Sequence, residues 1–295
     1  MISRNFQKMS LLPASFLRRL RHEVVRLCVL ALIAYAAILV YVVVTEDRQV
    51  FPAAYDARPD HTPALPAEFQ RVDLVTADGE HLDAYETQSA GNPGLQRWCI
   101  FFTGQWGRTR WDLPKVALLR ELGCEVLIFD YRGYGDSTGA PTEAGFYRDA
   151  DAAYHYLTKI RQIPPARIVL VAHSLGTGVA IDLASRAPVG GLILDGTYDS
   201  IPSCAADRYP WLPVRWLAHN RFASIDKVAR ISAPKLFLHG EFDESIPIQH
   251  GRAVFARAAE PKKFVALEGR HEDFQWSDPD RFKLAMSEFI THLPP

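Results

Sequence analysis

Four strand-forming residues, Ile168 to Val171, break without an intervening loop into Ala172-His173-Ser174-Leu175-Gly176-Thr177-Gly178-Val179-Ala180. The apolar run reads as a buried strand, and the small residues Gly176, Gly178 and Ala180 let a helix pack close behind the turn. A serine at such a junction sits in a strained, exposed position. The N–H groups of the following helix favour negative charge beside it. The pattern is a nucleophile elbow of the form Ala-x-Ser-x-Gly. Taken alone, the pentapeptide also fits an ordinary helix cap, because Ser is a favoured N-cap and Gly is common nearby.

The residues downstream narrow the choice. An apolar strand, Lys235 to Gly240, runs into Glu241-Phe242-Asp243-Glu244-Ser245-Ile246-Pro247, and another, Lys263 to Gly269, runs into Arg270-His271-Glu272-Asp273. Ser174, Asp243 and His271 therefore follow one another in the chain order of the α/β-hydrolases, each just past an expected strand. On these motifs the chain resembles that superfamily over about residues 68–293. Within it, the sequence is similar to small-lid serine hydrolases that include membrane-anchored acyl-protein thioesterases, lysophospholipases and monoacylglycerol lipases. The resemblance implies an α/β fold with a mostly parallel eight-stranded sheet, helices on both faces and a short helical lid.

Periodicity agrees with alternating strands and helices. Phe69–Thr76 and His81–Thr87 alternate around Asp78-Gly79 and predict an antiparallel hairpin. Trp98–Phe102, Glu125–Asp130 and Gly191–Asp195 are further strands, whereas Pro114–Leu122, Glu143–Lys159 and Asp280–Leu293 read as helices. At 295 residues and 48% hydrophobic content, the chain can bury one large core,. The net charge of -1 provides no basic field for nucleic acid,. Cys28 falls in an apolar N-terminal run, and Cys99, Cys124 and Cys204 give no disulfide framework; Cys99 and Cys124 read as buried thiols,. No metal-ligand spacing or dinucleotide motif is present, so neither a cofactor nor a metal is expected.

Leu27 to Val44 holds no charged side chain. These residues span about 27 Å as a helix, close to the thickness of a bilayer core. Arg18, Arg19, Arg21 and Arg26 precede the run, which places the N-terminus in the cytoplasm and the rest of the chain on the extracytoplasmic side, the periplasm in a bacterium,. A cleaved signal peptide is the rival reading, against which the run is long and Val42-Val43-Val44-Thr45 lacks an Ala-x-Ala site. The expected organisation is a basic segment over 1–23, a transmembrane signal anchor over 24–45, a Pro-rich extended linker over 46–67, and a domain over 68–295 with a lid at about 199–229.

The chemistry follows from the residue types. A neutral serine hydroxyl is a poor nucleophile, so His271 would act as general base and Asp243 would orient its imidazole. Asp195, also after a strand, is the substitute acid, and Glu272 and Asp273 read as solvated neighbours of His271. The backbone N–H of Leu175 is one oxyanion donor. The resemblance assigns the second to Gln105 in Thr103-Gly104-Gln105-Trp106-Gly107, where Thr103 stands in place of the usual His, as Ala172 stands in place of the first Gly of the elbow. Trp106, Trp211, Leu212, Trp216 and Leu217 are candidates to line an acyl pocket or touch a bilayer; the alternative is that they pack the lid onto the body. The reading is a serine hydrolase of a carboxylic ester or thioester in a small-molecule, lipid or acyl-group substrate. A peptidase of the same fold and a non-catalytic binding module are the alternatives.

Overall fold

A computed structural model describes residues 14–56, 67–87, 97–107 and 112–294. Ala14–Val44 forms one helix, α1, of 31 residues. It starts ten residues before the expected span because Ser15 to Glu23 contains neither Gly nor Pro and is rich in Leu and Arg, both good helix formers,. It is long and apolar enough to cross a membrane or to serve as a signal sequence. Residues 1–13 of the basic segment lie outside the described residues.

The second compact unit begins at Glu46. Its sheet contains β1 (Phe69–Val75), β2 (His81–Thr87), β3 (Arg97–Phe102), β4 (Cys124–Phe129), β5 (Ile168–His173), β6 (Gly191–Asp195), β7 (Lys235–Gly240) and β8 (Lys262–Leu267). The spatial order is β1-β2-β4-β3-β5-β6-β7-β8. The β1–β2 and β2–β4 pairings are antiparallel, and every pairing from β4 to β8 is parallel. This is the mostly parallel eight-stranded α/β sheet the sequence predicts.

Alternation along the strands builds two cores. Ile100, Phe102, Leu170 and Leu194 face one side, where they meet residues of α4 (Glu143–His155), α5 (Leu175–Ala184) and α9 (Ile248–Arg257). Cys99, Phe101, Val169 and Ile193 face the other, against α3 (Leu113–Glu121) and α11 (Pro279–His292). A strand buried on both faces needs apolar residues at every position, which is why β5 reads as an unbroken hydrophobic run. The chain crosses from β4 to β5 over β3, so the crevice at the carboxyl ends of β3 and β5 is the topological switch point, where ligands bind in such sheets,.

The expected linker over 46–67 is corrected in its first half. Glu46–Val50 forms a short helix, α2, and Pro52–Tyr55 a 3-10 turn. Between them Phe51 is fully buried, with its ring centroid 4.9 Å from that of Phe146 and 6.1 Å from that of Phe222. The prolines predict an extended tether, but burial of Val50, Phe51 and Ala53 together holds this stretch on the core,. The Glu46 carboxylate accepts hydrogen bonds from the N–H groups of His219 and Asn220, tying this segment to the end of the lid. Residues 57–66 lie outside the described residues.

Candidate active site

Ser174 has φ 50° and ψ -121°, between the end of β5 and the first residue of α5. Such a backbone costs about 1–3 kcal/mol in a non-glycine residue and persists only where the surroundings impose it. Here the Ser174 N–H donates to the Asp195 carbonyl at 2.8 Å, and the Ser174 carbonyl accepts from Thr177 N–H and Oγ1. Helix α5 sits tight against β3: a Cβ on Gly176 would lie 2.4 Å from the Phe102 carbonyl oxygen. The small residues of the elbow therefore answer to a steric need.

The three side chains drawn from distant strand ends meet. His271 Nε2 lies 2.8 Å from Ser174 Oγ, and His271 Nδ1 lies 2.7 Å from Asp243 Oδ2. All three residues are buried. The Asp243 Oδ1 oxygen accepts from the N–H groups of Ser245 and Ile246 at 2.9 and 2.7 Å, so the loop after β7 holds the carboxylate rigidly. Burial pushes the Asp243 carboxyl up, but hydrogen bonds from His239, His271 and the Ile246 N–H together hold it well below the usual carboxylate range,. An ionised Asp243 keeps the proton of a neutral His271 on Nδ1 and leaves Nε2 free to accept from Ser174.

Asp195, the substitute acid, is placed elsewhere. Its Oδ2 lies 3.0 Å from His173 Nδ1 and 3.3 Å from Lys115 Nζ. The other nitrogen of His173, Nε2, lies 3.2 Å from Glu272 Oε2. Burial, the largest influence, and the Lys115 cation push His173 down, yet Asp195 and Glu272 prevail and raise it to about 9. The bond from His173 in turn lowers Glu272, an exposed side chain, to about 2. Glu272 is the solvated neighbour of His271 that the sequence predicts and in addition pairs with His173, so the residue before the serine and the residue after the histidine form an ion pair. Asp273 instead accepts the Arg270 N–H. Sequence reasoning missed the His173–Glu272 pair, although both residues adjoin the candidate triad; the signal was that adjacency.

Of the two expected oxyanion donors, Leu175 directly follows the nucleophile and Gln105 lies on the turn after β3. Leu175 opens α5, so its N–H is one of those a helix leaves without an intrahelical acceptor,. On the other loop, a Cβ on Gly104 would lie 3.3 Å from Ser174 Cβ, which puts this turn directly against the serine. The Tyr134 hydroxyl donates to the Gln105 carbonyl at 2.9 Å, and Gly107 N–H closes the turn onto the Gly104 carbonyl. Tyr134 is therefore the brace of a loop in which Thr103 replaces the customary histidine.

The lid contains α6 (Ile201–Arg208) and α7 (Val214–Leu217). Leu212 is buried, whereas Trp106, Trp211 and Trp216 are exposed, Trp216 to 88%. The indole of Trp216 therefore does not pack the lid onto the body. A recess lined by Phe101, Lys115, Asp195, Phe282 and Met286 opens on the α3–α11 side and includes neither Ser174 nor the lid tryptophans.

The sequence profile described as the alpha/beta hydrolase family matches residues 99–274. The chain is an α/β-hydrolase. Its relatives include the uncharacterised protein Rv2307c of Mycobacterium tuberculosis, 32% identical over 269 residues that make up 89% of this chain and 94% of that protein. Another is the alpha/beta hydrolase domain-containing protein 17C of Xenopus tropicalis, 31% identical over 61% of this chain and 56% of its own length. Among solved structures, the Pyrococcus furiosus esterase Pf2001 superposes on this hydrolase with a TM-score of 0.66 at 19% identity, covering 80% of this chain and 98% of its own. A puromycin-hydrolysing peptidase of Mycobacterium tuberculosis gives 0.63 at 19% identity over 76% of this chain and 39% of its own. Likenesses at this identity concern the fold.

Proposed function

We propose that this α/β-hydrolase is a membrane-anchored serine esterase or thioesterase that acts on a lipid or acyl-group substrate through a covalent acyl-enzyme. The observation that carries the reading is the continuous hydrogen-bonded path from Ser174 Oγ through His271 to Asp243, at 2.8 and 2.7 Å. In the first half-reaction, Oγ attacks the substrate carbonyl carbon while His271 Nε2 takes the hydroxyl proton. The tetrahedral oxyanion is held by the N–H groups of Gln105 and Leu175, each such donor being worth about a hundredfold or more in rate. Collapse of the intermediate expels the alcohol or thiol, which receives the proton from His271. In the second half, His271 removes a proton from water, the resulting hydroxide attacks the acyl-enzyme, and collapse returns the proton to Ser174 Oγ and releases the acid.

Helix α1 supports the anchor, and its arginines favour a cytoplasmic N-terminus with the catalytic unit on the opposite side, periplasmic in a bacterium. The exposed lid tryptophans suit an interface where an acyl chain leaves the bilayer. Labelling of the full chain with a fluorophosphonate probe tests the chemistry. Labelling is expected in the native protein and in Ser137→Ala, and is lost in Ser174→Ala. An unlabelled, well-folded native chain refutes the enzyme in favour of a binding module. Graded p-nitrophenyl esters beside acyl thioesters and a peptide amide then separate the bond classes.

A further inference from the structure

Among the described residues, apart from the group around His271, one cluster of metal-ligating side chains converges from separate elements. Asp199 lies after β6, Cys204 on α6 and His250 on α9, and one ligand atom from each lies within 4.8 Å of the others. No local spacing motif announces this set, because the chain between Cys204 and His250 passes through the rest of the lid and all of β7. His250 is buried at 6% exposure and Asp199 has a 21% exposed side chain, so the cluster is sheltered yet reachable from solvent.

We propose that Asp199, Cys204 and His250 form a zinc site that fastens lid helix α6 to α9. The donor set is one thiolate, one imidazole and one carboxylate, all usual for Zn2+, with a fourth position left for water. Bonds of about 2.0–2.3 Å place tetrahedral ligand atoms roughly 3.3–3.8 Å apart. His250 Nδ1 and Asp199 Oδ1, 2.9 Å apart around a shared proton, would open slightly, and Cys204 Sγ, within 4.8 Å of both partners, would close by at most about 1.5 Å,. His250 Nε2 lies 3.1 Å from Asp207 Oδ2. With metal on Nδ1, the Nε2–H would donate to Asp207. That is the carboxylate–histidine–metal arrangement that fixes a ligand's tautomer and orientation. Asp199 is also braced, its Oδ1 accepting the Ser200 N–H at 2.6 Å.

Binding makes three metal–ligand bonds and breaks the Cys204 S–H and His250 Nδ1–H bonds, the two protons going to solvent; no electron moves. The occupant would join the root of the lid to the helix that follows the Asp243 loop. The inference is independent of the role of Ser174. The other ligand group, His173, His271 and Glu272, is already engaged through His271 with Ser174 and Asp243 and through His173 with Asp195.

The test is metal retention by the full chain in detergent, stripped with a chelator and then equilibrated with Zn2+ or Co2+. About one ion per chain should survive desalting, and the Co2+ form should show tetrahedral d–d bands with thiolate-to-cobalt charge transfer. Cys204→Ser should abolish the charge-transfer band, and Asp207→Asn, at an exposed side chain, should weaken binding about 10- to 100-fold while leaving the fold intact. Glu272→Ala should leave binding unchanged. Absence of the charge-transfer band in the native chain, its survival in Cys204→Ser, unaltered affinity in Asp207→Asn, or loss of the ion in Glu272→Ala each overturns the proposal.

Discussion

Replacement of Asp243 by Asn isolates the tautomer requirement of the candidate triad. The Ser245 and Ile246 N–H groups both point at Oδ1. An asparagine must therefore keep its carbonyl oxygen there and turn its NH2 toward the Oδ2 position, 2.7 Å from His271 Nδ1. Facing a donor, Nδ1 must become the acceptor, and the imidazole proton moves to Nε2. Nε2 then donates toward Ser174 Oγ and cannot take its proton. A triad acid exchanged for its amide with geometry intact loses about 10^3–10^4 in kcat, or roughly 4–5.5 kcal/mol of transition-state stabilisation. Hydrolysis of a short p-nitrophenyl ester by purified full-length variants measures it, with circular dichroism confirming the fold. A loss below about tenfold would refute the tautomer argument. A larger loss in Asp195→Asn than in Asp243→Asn would transfer the acid role to Asp195.

Glu272→Ala frees the residue beside His271 from His173. It should lower kcat about tenfold with KM nearly unchanged, with Glu272→Gln partly restoring kcat; an unaltered kcat removes the positioning role. Because His173 is raised from about 6.5 to about 9 in the fold, its contribution is complete below about pH 6.5 and is lost as pH climbs through 9. Denaturant melts should record up to about 3 kcal/mol of destabilisation over that window, and His173→Gln should flatten it. Phe51→Ala should cost about 3–5 kcal/mol in the same melts, because Phe51 is fully buried against Phe146 and Phe222; a loss under about 1 kcal/mol would return residues 46–56 to the linker,.

Features with a short-range signature were legible in the chain. The elbow could be read because an apolar strand, a serine and small residues must be contiguous for the nucleophile to stand above a close-packed helix. The strand before Asp243 could be read because burial along the whole of β7 demands an apolar run, the partly exposed edge strand before His271 from its short run Phe264–Leu267, and α1 from its length without charge. Contacts between distant segments outside the chain order of Ser174, Asp243 and His271 were not legible, since nothing local distinguishes a carboxylate that will meet one histidine from a carboxylate that will meet another. Chain order already paired His271 with Asp243 and kept Asp195 as the substitute; the three-dimensional packing alone gave His173 to Asp195 and Glu272. It also drew Phe51 out of a proline-rich stretch into the core, since the pairing partner of a buried group depends on which strand ends the sheet order brings together.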